Sequence, residues 1–550
     1  MRDFINEDVR RHKPSRYQEL HQKAATYFSS QLNQPSNSLD HTRATVELIY
    51  HQVRANEEKG LRFAADIFND AADLFQATTC EMIYQAVKGS LLNESNQPWV
   101  EYFAGVTAKL QVSSLEAERI LRTVLDKPAS HLDPELRVYA GRWLAGSLWF
   151  AGKFHDVIKY ARETRELSAE LGVKGIKGMK EYEHRALETL GLALDRLGQF
   201  DEGIEVMLEL ESSSKSVGDR RGEGWGLLSA GYFSWHSGDW DNAELYLSKC
   251  LRIARDIKSD YMEVYPLGHL GLLYVGLGIH DKTYLERARQ YLDECKQKAL
   301  PATSREMDCK SHQNLAQLNL TLGNLEEAEK FAQKATQLAT GMFHPYYEAD
   351  ALRIWGQILI ERGMLQEAAA KLIESSSIAE RIDGKYVSAR SQVQLYRIQA
   401  LDTGAAMDTE VRKKYAFENV LDYMKAYKFH GLRSDLYLWR AYSVLDSDLG
   451  AAKQYIANAC YEGLLFNRFS CDRALNFTRT TIIPLLKNHE DVQDILKYLM
   501  DFTTNGRHLS ESLISFESNQ RTKGHIEAAR VSMLTQIQSM LSEVSVKTST

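Results

Sequence analysis

Residues 228–247 read Leu228-Ser-Ala-Gly-Tyr-Phe-Ser-Trp-His-Ser-Gly-Asp-Trp-Asp-Asn-Ala-Glu-Leu-Tyr-Leu247. This stretch predicts an apolar helix with a small residue, Gly231, at its middle and a tight turn at Gly238. A second helix then opens on an aromatic residue and an alanine. Six copies of the pattern lie between residues 144 and 368, and this repeat decides the fold.

The copies align on a glycine at the turn between two helices. Successive copies are about 40 to 46 residues apart, and one has an enlarged turn between Gly276 and Tyr284. A fixed period in this range is typical of a solenoid of stacked helix pairs. We expect a positive φ at each turn glycine, and close helix approach at the small residue before it. The turn glycines are Gly152, Gly198, Gly238, Gly323 and Gly363.

Composition narrows the class of protein. With 550 residues the chain is too long for one ordinary core, and only 9 prolines fit a mostly helical chain. The formal charge of −7 argues against a direct nucleic-acid binder or a protein of anionic membranes. No apolar run is long enough to span a membrane, and the N-terminus lacks the pattern of a signal peptide. The six cysteines show no CxxC pairing, which favours reduced thiols and a cytoplasmic location.

The periodic signal divides the chain into three regions. Residues 1–130 are predicted to be an N-terminal helical region, made of degenerate repeats or a cap. Residues 131–402 hold the six clear copies and a seventh first helix. Residues 403–550 are predicted to be a C-terminal helical region that ends in a long amphipathic helix.

The Leu-Gly…Tyr…Gly-x-[Phe/Tyr]-x-x-Ala series resembles the tetratricopeptide repeat, which usually has about 34 residues. Here the second helix is longer and ends in phrases such as Ser214-Lys-Ser-Val-Gly-Asp219. Repeats of this longer type resemble those of the GoLoco spindle adaptors and of the sensor solenoids of bacterial STAND regulators, the maltose regulator among them. Arg16 to Phe28 looks like the segment that precedes those sensor repeats. The resemblance implies an all-α fold, a right-handed superhelical solenoid.

Catalytic motifs are missing from the sequence. There is no GxxxxGK[ST], GxSxG or HExxH. The glycine-rich stretch from Gly172 to Gly178 is interpreted as a loop between repeats. Cys295, Cys309 and His312 have poor spacing for a metal site. We therefore expect no enzyme activity, no cofactor and no metal.

In tetratricopeptide superhelices the first helix of each pair lines the concave face. The resemblance therefore implies which residues contact a partner. Aromatic residues and arginines are common at interface hot spots, and arginine pairs well with carboxylates. The inward positions also include Trp149, Glu188, His236, Tyr265, Gln317 and Asp350. The predicted partner-binding set is Tyr139, Arg142, Arg185, Arg196, Trp225, Tyr232, Trp235, Lys310, Gln313, Arg353 and Gln357.

A different interpretation stays open for this set. Trp149, Trp225 and Trp235 could instead pack between adjacent helix pairs, and the charged residues could form only a solvated surface. Pro266, beside Tyr265, could also shift the start of the fourth first helix.

Three functional hypotheses follow. The first is a non-enzymatic scaffold or sensor in signalling, regulation or defence that binds a protein or peptide, one with acidic groups. The second is a receptor for a signal peptide or small ligand that changes conformation, as in bacterial quorum-peptide receptors. The third, an enzyme, requires a catalytic site hidden in the terminal regions. The sequence leaves the oligomeric state open.

Overall fold

The computed structural model describes residues 9–547 except 33–37, 91, 112–113, 177, 279–282, 300–304, 343, 403–405, 428, 467, 487 and 506–519. Secondary structure in this part of the chain is helical throughout and includes no strand. The prediction of an all-α fold is confirmed. Residues 279–282, within the predicted enlarged turn, lie outside the described ranges.

The chain divides into two compact units, Met1–Ala193 and Leu194–Thr550. We call them unit 1 and unit 2. The division falls inside one helix, two residues before Arg196, and the three-part division expected from the sequence stays a prediction. The α-helices up to that point are α1 Pro14–Leu32, α2 Ser38–Ala55, α3 Glu57–Asp73, α4 Ala77–Lys88, α5 Gln97–Gln111, α6 Ser114–Leu125, α7 Pro134–Phe150, α8 Phe154–Val173 and α9 Met179–Arg196.

Unit 2 holds the last turn of α9 and the remaining helices. Between α24 and α25 the chain passes through a π-helical turn, Thr478–Ile482, and a 3₁₀ turn, Ile483–Leu485. Its α-helices are α10 Phe200–Ser216, α11 Arg220–Ser237, α12 Trp240–Asp256, α13 Asp260–Gly278, α14 Thr283–Ala299, α15 Arg305–Thr321, α16 Leu325–Gly341, α17 Pro345–Glu361, α18 Leu365–Arg381, α19 Lys385–Leu401, α20 Thr409–Lys414, α21 Phe417–Ala426, α22 His430–Val444, α23 Leu449–Phe466, α24 Arg468–Phe477, α25 His489–Asn505 and α26 Gln520–Lys547.

The turn glycines behave as the repeat predicts. All five have a positive φ, from 71° at Gly152 and Gly198 to 92° at Gly238. Side chains with a Cβ rarely adopt this conformation, so glycine sets the turn between the two helices of a pair.

The small residues in the first helices allow close packing, as predicted. A Cβ placed on Gly231 would lie 2.8 Å from Leu247 Cγ, and one on Gly356 would lie 2.6 Å from Leu372 Cγ. Within unit 2, α11 therefore packs tightly on α12, and α17 packs tightly on α18. Glycine at these positions is explained by packing and indicates nothing about function.

Pro266 does not shift the start of a helix. Helix α13 begins at Asp260 and continues through the proline to Gly278. Neighbouring side chains bury this helix on most of its surface, with Leu267 and Leu270 in a core shared with Leu247 and Leu292. Burial of these apolar side chains outweighs the missing backbone hydrogen bond.

The C-terminal region of unit 2 has its own core. The terminal helix α26 buries Met533, Ile537 and Met540 in a cluster that includes Leu496 and Leu499 of α25. Three- and four-residue spacing of these apolar side chains matches the amphipathic pattern in the sequence. Helix α26 is thus packed along its apolar face.

Candidate functional site

The first helices of unit 2 surround a cavity of about 1430 Å³. Its lining comes from α11, α13, α15, α17, α19, α22 and α24, from the starts of α10 and α12 with the turns that precede them, and from the ends of α21 and α23. Six residues of the predicted partner-binding set lie on it, namely Tyr232, Trp235, Lys310, Gln313, Arg353 and Gln357.

One side of the cavity is aromatic. We call Tyr232, Trp235 and His236, all on α11, the aromatic wall. The Tyr232 ring lies 4.4 Å from His236 and 4.8 Å from His269 of α13, between ring centroids. The wall offers flat apolar surfaces that suit side chains or peptide groups.

Both histidines beside Tyr232 are neutral. Burial lowers the pKa of His236 well below its ordinary value, and it lowers the pKa of His269 to about 3. His236 Nε2 and His269 Nδ1 are buried and have no hydrogen-bond partner among the described residues. A neutral imidazole with an unused nitrogen is available to a ligand as a donor or an acceptor.

Charged side chains also line the cavity, and we call Lys310, Asp350, Arg353, Arg390, Asp435 and Arg473 the charged wall. Asp350 of α17 accepts from Arg353 Nε at 2.8 Å, and Arg390 Nη1 of α19 lies 3.6 Å from the same oxygen. Further along, Arg473 of α24 pairs with Asp435 of α22 at 2.7 Å. The pKa of Asp350 is lowered because Arg353, Arg390 and Lys310 together outweigh its burial.

Arg353 is an interior residue. Its side chain is only 1% exposed, and besides Asp350 it donates from Nη1 to Gln357 Oε1 at 2.7 Å. Burial, with Arg390 nearby, lowers the pKa of this guanidinium to about 10. Arg353 therefore fixes Asp350 and Gln357 in place at the cavity surface.

Lys310 and Gln313 lie on α15, one turn apart. Burial lowers the pKa of Lys310, and Asp350 offsets this only in part. In the described ranges no carboxylate is within ion-pair distance of Lys310. Gln313 Nε2 donates to the Tyr347 carbonyl at 2.9 Å, whereas its buried Oε1 has no described hydrogen-bond partner.

Two phenylalanines close the cavity near the turns of the second and third copies. A Cβ on Gly198 would lie 2.5 Å from Cε1 of Phe429, and one on Gly238 would lie 2.4 Å from the carbonyl oxygen of Phe466. Tyr386 joins them, since its ring centroid is 5.3 Å from that of Phe429. The early repeats of unit 2 and its C-terminal region thus touch, and we call these contacts the closure.

Residues 310–340 match the family model described as the tetratricopeptide repeat. They span α15 and α16, the pair that begins at Arg305 and ends at Gly341. Residues 310–340 are a tetratricopeptide repeat. The pairs α11–α12 and α17–α18 have nearly the same helix lengths and the same turn glycine, so they repeat the local architecture of this pair.

Solved structures similar to this chain include the following three. One is a Rap protein complexed with competence and sporulation factor (13% identity, 76% of this chain and 98% of that chain, TM-score 0.44). Another is a STAND protein with a tetratricopeptide repeat sensor from Pyrococcus horikoshii (14%, 65% and 52%, TM-score 0.39). A third is the Rap conjugation gene regulator of plasmid pLS20 with the Phr* peptide (13%, 78% and 98%, TM-score 0.36). No curated protein matches the sequence.

Two predicted residues of unit 2 lie beside the cavity instead of on it. Arg196 places its guanidinium carbon 3.6 Å from the ring centroid of Tyr346, a lining residue. Trp225 packs edge-on against Tyr265 at 5.1 Å, between first helices of adjacent repeats. Trp225 therefore takes the packing position that the different interpretation expected, whereas Trp235 lines the cavity.

The remaining predicted residues lie in unit 1, where each has partners. Tyr139 is buried, with its ring 5.0 Å from that of Tyr182. Arg142 forms an ion pair with Asp73, and Arg185 lies 3.2 Å from the other oxygen of the same carboxylate. One aspartate thus holds two of the predicted arginines together.

Sequence reasoning missed Arg390, Asp435 and Arg473. A signal for the first was present, because Lys310, Asp350 and Arg390 are spaced by 40 residues and occupy equivalent positions in successive first helices. Asp435 and Arg473 carried no such signal, since the period fades after residue 402. These residues belong to the charged wall even so.

The described residues hold no group of three or more histidine, cysteine, aspartate or glutamate side chains placed to bind a metal ion. None of their helices combines the length and the apolar character needed to cross a membrane. All six cysteines are buried, and none of them forms a disulfide bond.

Proposed function

We propose that unit 2 is a non-enzymatic peptide-binding module that takes an extended peptide into its tetratricopeptide cavity. Such binding would serve a scaffold or sensor in signalling, regulation or defence. The cavity, at about 1430 Å³, exceeds the roughly 300–1,000 Å³ that holds a drug-sized ligand. Its volume therefore suits several linked residues better than one small metabolite.

The observation that carries the proposal is the combination of aromatic faces and unused polar atoms on one surface. Tyr232 and Trp235 offer apolar contact, while His236 Nε2, Gln313 Oε1 and Gln394 Oε1 have no described hydrogen-bond partner. Buried polar groups are nearly always satisfied. An extended peptide supplies both N–H and C=O groups along its length, which matches this mixture.

The closure favours the second hypothesis, a receptor that changes conformation. Phe429 and Phe466 lie against the turn glycines Gly198 and Gly238, so the cavity is bounded on that side. A folded protein domain would not enter such a space, whereas a short peptide would. Admission of a peptide would require these contacts to separate for a time.

Two tryptophans of α11 give a matched test. We expect Trp235→Ala to weaken binding of a random hexapeptide pool at least tenfold, because Trp235 lines the cavity. Trp225→Ala is the control. It removes a half-buried tryptophan of the same helix that packs outside the cavity, so the affinity should stay within about twofold.

Isothermal titration and thermal unfolding of the full chain measure both variants. If the wild type, Trp235→Ala and Trp225→Ala bind the pool with equal affinity, the peptide binds elsewhere, and the proposal that it binds in the cavity is wrong. A pool that neither binds nor raises the melting temperature of the wild type would refute peptide binding.

A further inference from the structure

We propose that Lys109 is a modification site, at which carbon dioxide adds to the side-chain amine and forms a carbamate. Lys109 lies on α5, and α7 packs against its amine. Every residue of this site lies in unit 1, so the test of the site does not depend on peptide binding by unit 2.

The amine of Lys109 lies against α7. A Cβ placed on Gly146 would be 2.6 Å from Lys109 Nζ, so the glycine leaves room for the amine. The ring centroid of Trp143, one turn earlier on α7, is 5.3 Å from Lys109 Nζ. Trp143 is only 7% exposed. The amine therefore faces an indole and a helix backbone and has lost much of its water, which favours its neutral form.

A second cation lies over the same indole. The guanidinium carbon of Arg142 is 4.8 Å from the Trp143 ring centroid. Burial and the charge of Arg142 together lower the pKa of Lys109 to about 8. About one amine in ten is then neutral at pH 7, against fewer than about one in a thousand for an ordinary lysine. The neutral amine is the nucleophile, so Lys109 is activated by its surroundings.

Carbon dioxide is the only reagent that the reaction needs. The lone pair of neutral Nζ forms a bond to the carbon atom, and one C=O bonding pair moves onto an oxygen atom. The nitrogen then releases one proton to water, which leaves the carbamate R–NH–COO⁻. The positive charge of the ammonium is thus replaced by a negative charge.

Two buried donors beside the amine lack an acceptor. Arg142 Nη1 and Trp143 Nε1 have no hydrogen-bond partner among the described residues, although buried polar groups are nearly always hydrogen bonded. An ammonium offers no acceptor, and a neutral amine offers a single lone pair. The two oxygen atoms of a carbamate can accept from both donors, which the amine of Lys109 cannot do.

Arg142 also gains a favourable charge pair. Its Nη2 pairs with Asp73, and the other oxygen of that carboxylate lies 3.2 Å from Arg185 Nη2. Arg185 has a second carboxylate in Glu181, whereas Arg142 faces the ammonium of Lys109. The carbamate replaces this repulsion with attraction, because the two neighbouring groups then carry opposite charges.

Carbon-13 NMR of the full-length protein in labelled bicarbonate, which supplies carbon dioxide, detects the carbamate. We expect a protein-bound resonance at about pH 8 that disappears below about pH 6, because protons reverse the addition. Lys109→Gln should abolish this resonance, since it removes the amine. Lys153→Gln is the matched control, because Lys153 pairs with Glu118 at 2.7 Å, and the resonance should remain. The N-terminal amine also reacts, and its resonance is the same in all variants.

Chemical trapping locates the carbamate without any substitution. Triethyloxonium ion converts a carbamate into an ethyl ester, and peptide mass spectrometry of the wild type then identifies the modified lysine. We expect at least tenfold more ester on Lys109 than on Lys153, because Glu118 binds the ammonium of Lys153. Bicarbonate should also raise the melting temperature of the wild type and leave that of Lys109→Gln unchanged.

Three results would overturn the modification. If the resonance persists in Lys109→Gln, or if Lys109 and Lys153 carry equal amounts of ester, carbon dioxide adds to lysines without regard to this site. If bicarbonate raises the melting temperature but Lys109 carries no ester, the two donors bind a non-covalent anion. If the wild type shows neither the resonance nor the ester, Lys109 is not modified at all.

Discussion

Arg353 illustrates how a residue can match a repeat position and still serve the interior. The sequence correctly placed it on the inner side of a first helix, but it gave no sign that Asp350 and Gln357 would occupy its donors. Pairing of side chains depends on rotamers and burial that spacing does not specify. Surface positions of a repeat can be predicted from the sequence, whereas their partners cannot.

Replacement of Arg353 should therefore test stability. We expect Arg353→Met to lower the free energy of unfolding by about 3 kcal/mol, because it leaves Asp350 buried beside the more distant Arg390. Arg362→Met, at the end of the same helix, removes a more exposed pair with Glu329 and should cost less than about 1 kcal/mol. Urea unfolding measures both, and equal losses would contradict the buried role.

The neutral histidines predict a pH dependence. His236 and His269 have lowered pKa values in the fold, about 3 for His269, against about 6.5 in the unfolded chain. Below pH 6.5 the unfolded chain binds more protons than the folded chain does. The contribution of these histidines to the free energy of unfolding is therefore complete above that pH and is lost as the pH falls towards 5.5. Each histidine contributes roughly 1 kcal/mol per pH unit.

Denaturant unfolding at several pH values measures this effect. Replacement of one histidine, His269→Gln, should reduce by about half the slope of the free energy of unfolding against pH between pH 6.5 and 5.5. His155 is exposed on α8, so His155→Gln is the control. The free energy of unfolding of this variant should have the same slope against pH as that of the wild type. A wild-type stability that stays constant over this range would contradict neutral, buried histidines.

At the scale of elements, the helix pairs were predictable and the closure was not. Turn glycines and small residues recur with a local period, so the sequence reveals them directly. Contacts of Phe429 and Phe466 with the early turns join segments that are far apart in the chain. Because no local pattern encodes such contacts, only the folded unit reveals them.

Two turn glycines allow the closure to be measured. Both Gly238 and Gly323 have a positive φ, 92° and 78°, so alanine at either should cost about 1 kcal/mol of backbone strain. An added Cβ at Gly323 meets nothing within 4 Å, whereas one at Gly238 would collide with the Phe466 carbonyl. We expect Gly238→Ala to lose at least about 1 kcal/mol more stability than Gly323→Ala. Equal losses in thermal unfolding would mean that the closure is loose.

For the whole of unit 2, the closure should control how quickly a peptide enters and leaves. Phe429→Ala removes the ring beside Gly198, so we expect both the association and the dissociation rates of a bound peptide to rise several-fold. Phe477→Ala is the control, because Phe477 packs on Trp439 and does not line the cavity. Stopped-flow fluorescence measures the rates, and unchanged rates in Phe429→Ala would contradict a gating role.

The closure also limits how this gene can change. In an open solenoid, a helix pair can be duplicated or deleted and the rest of the array simply shifts along. Here the turns at Gly198 and Gly238 contact Phe429 and Phe466. The number of helix pairs between these turns and the two phenylalanines must therefore bring the chain back to the same contacts. Recombination that added or removed one pair would separate these partners. Related genes that keep the closure should therefore vary by substitution at positions such as 310, 350 and 390 and keep the copy number constant.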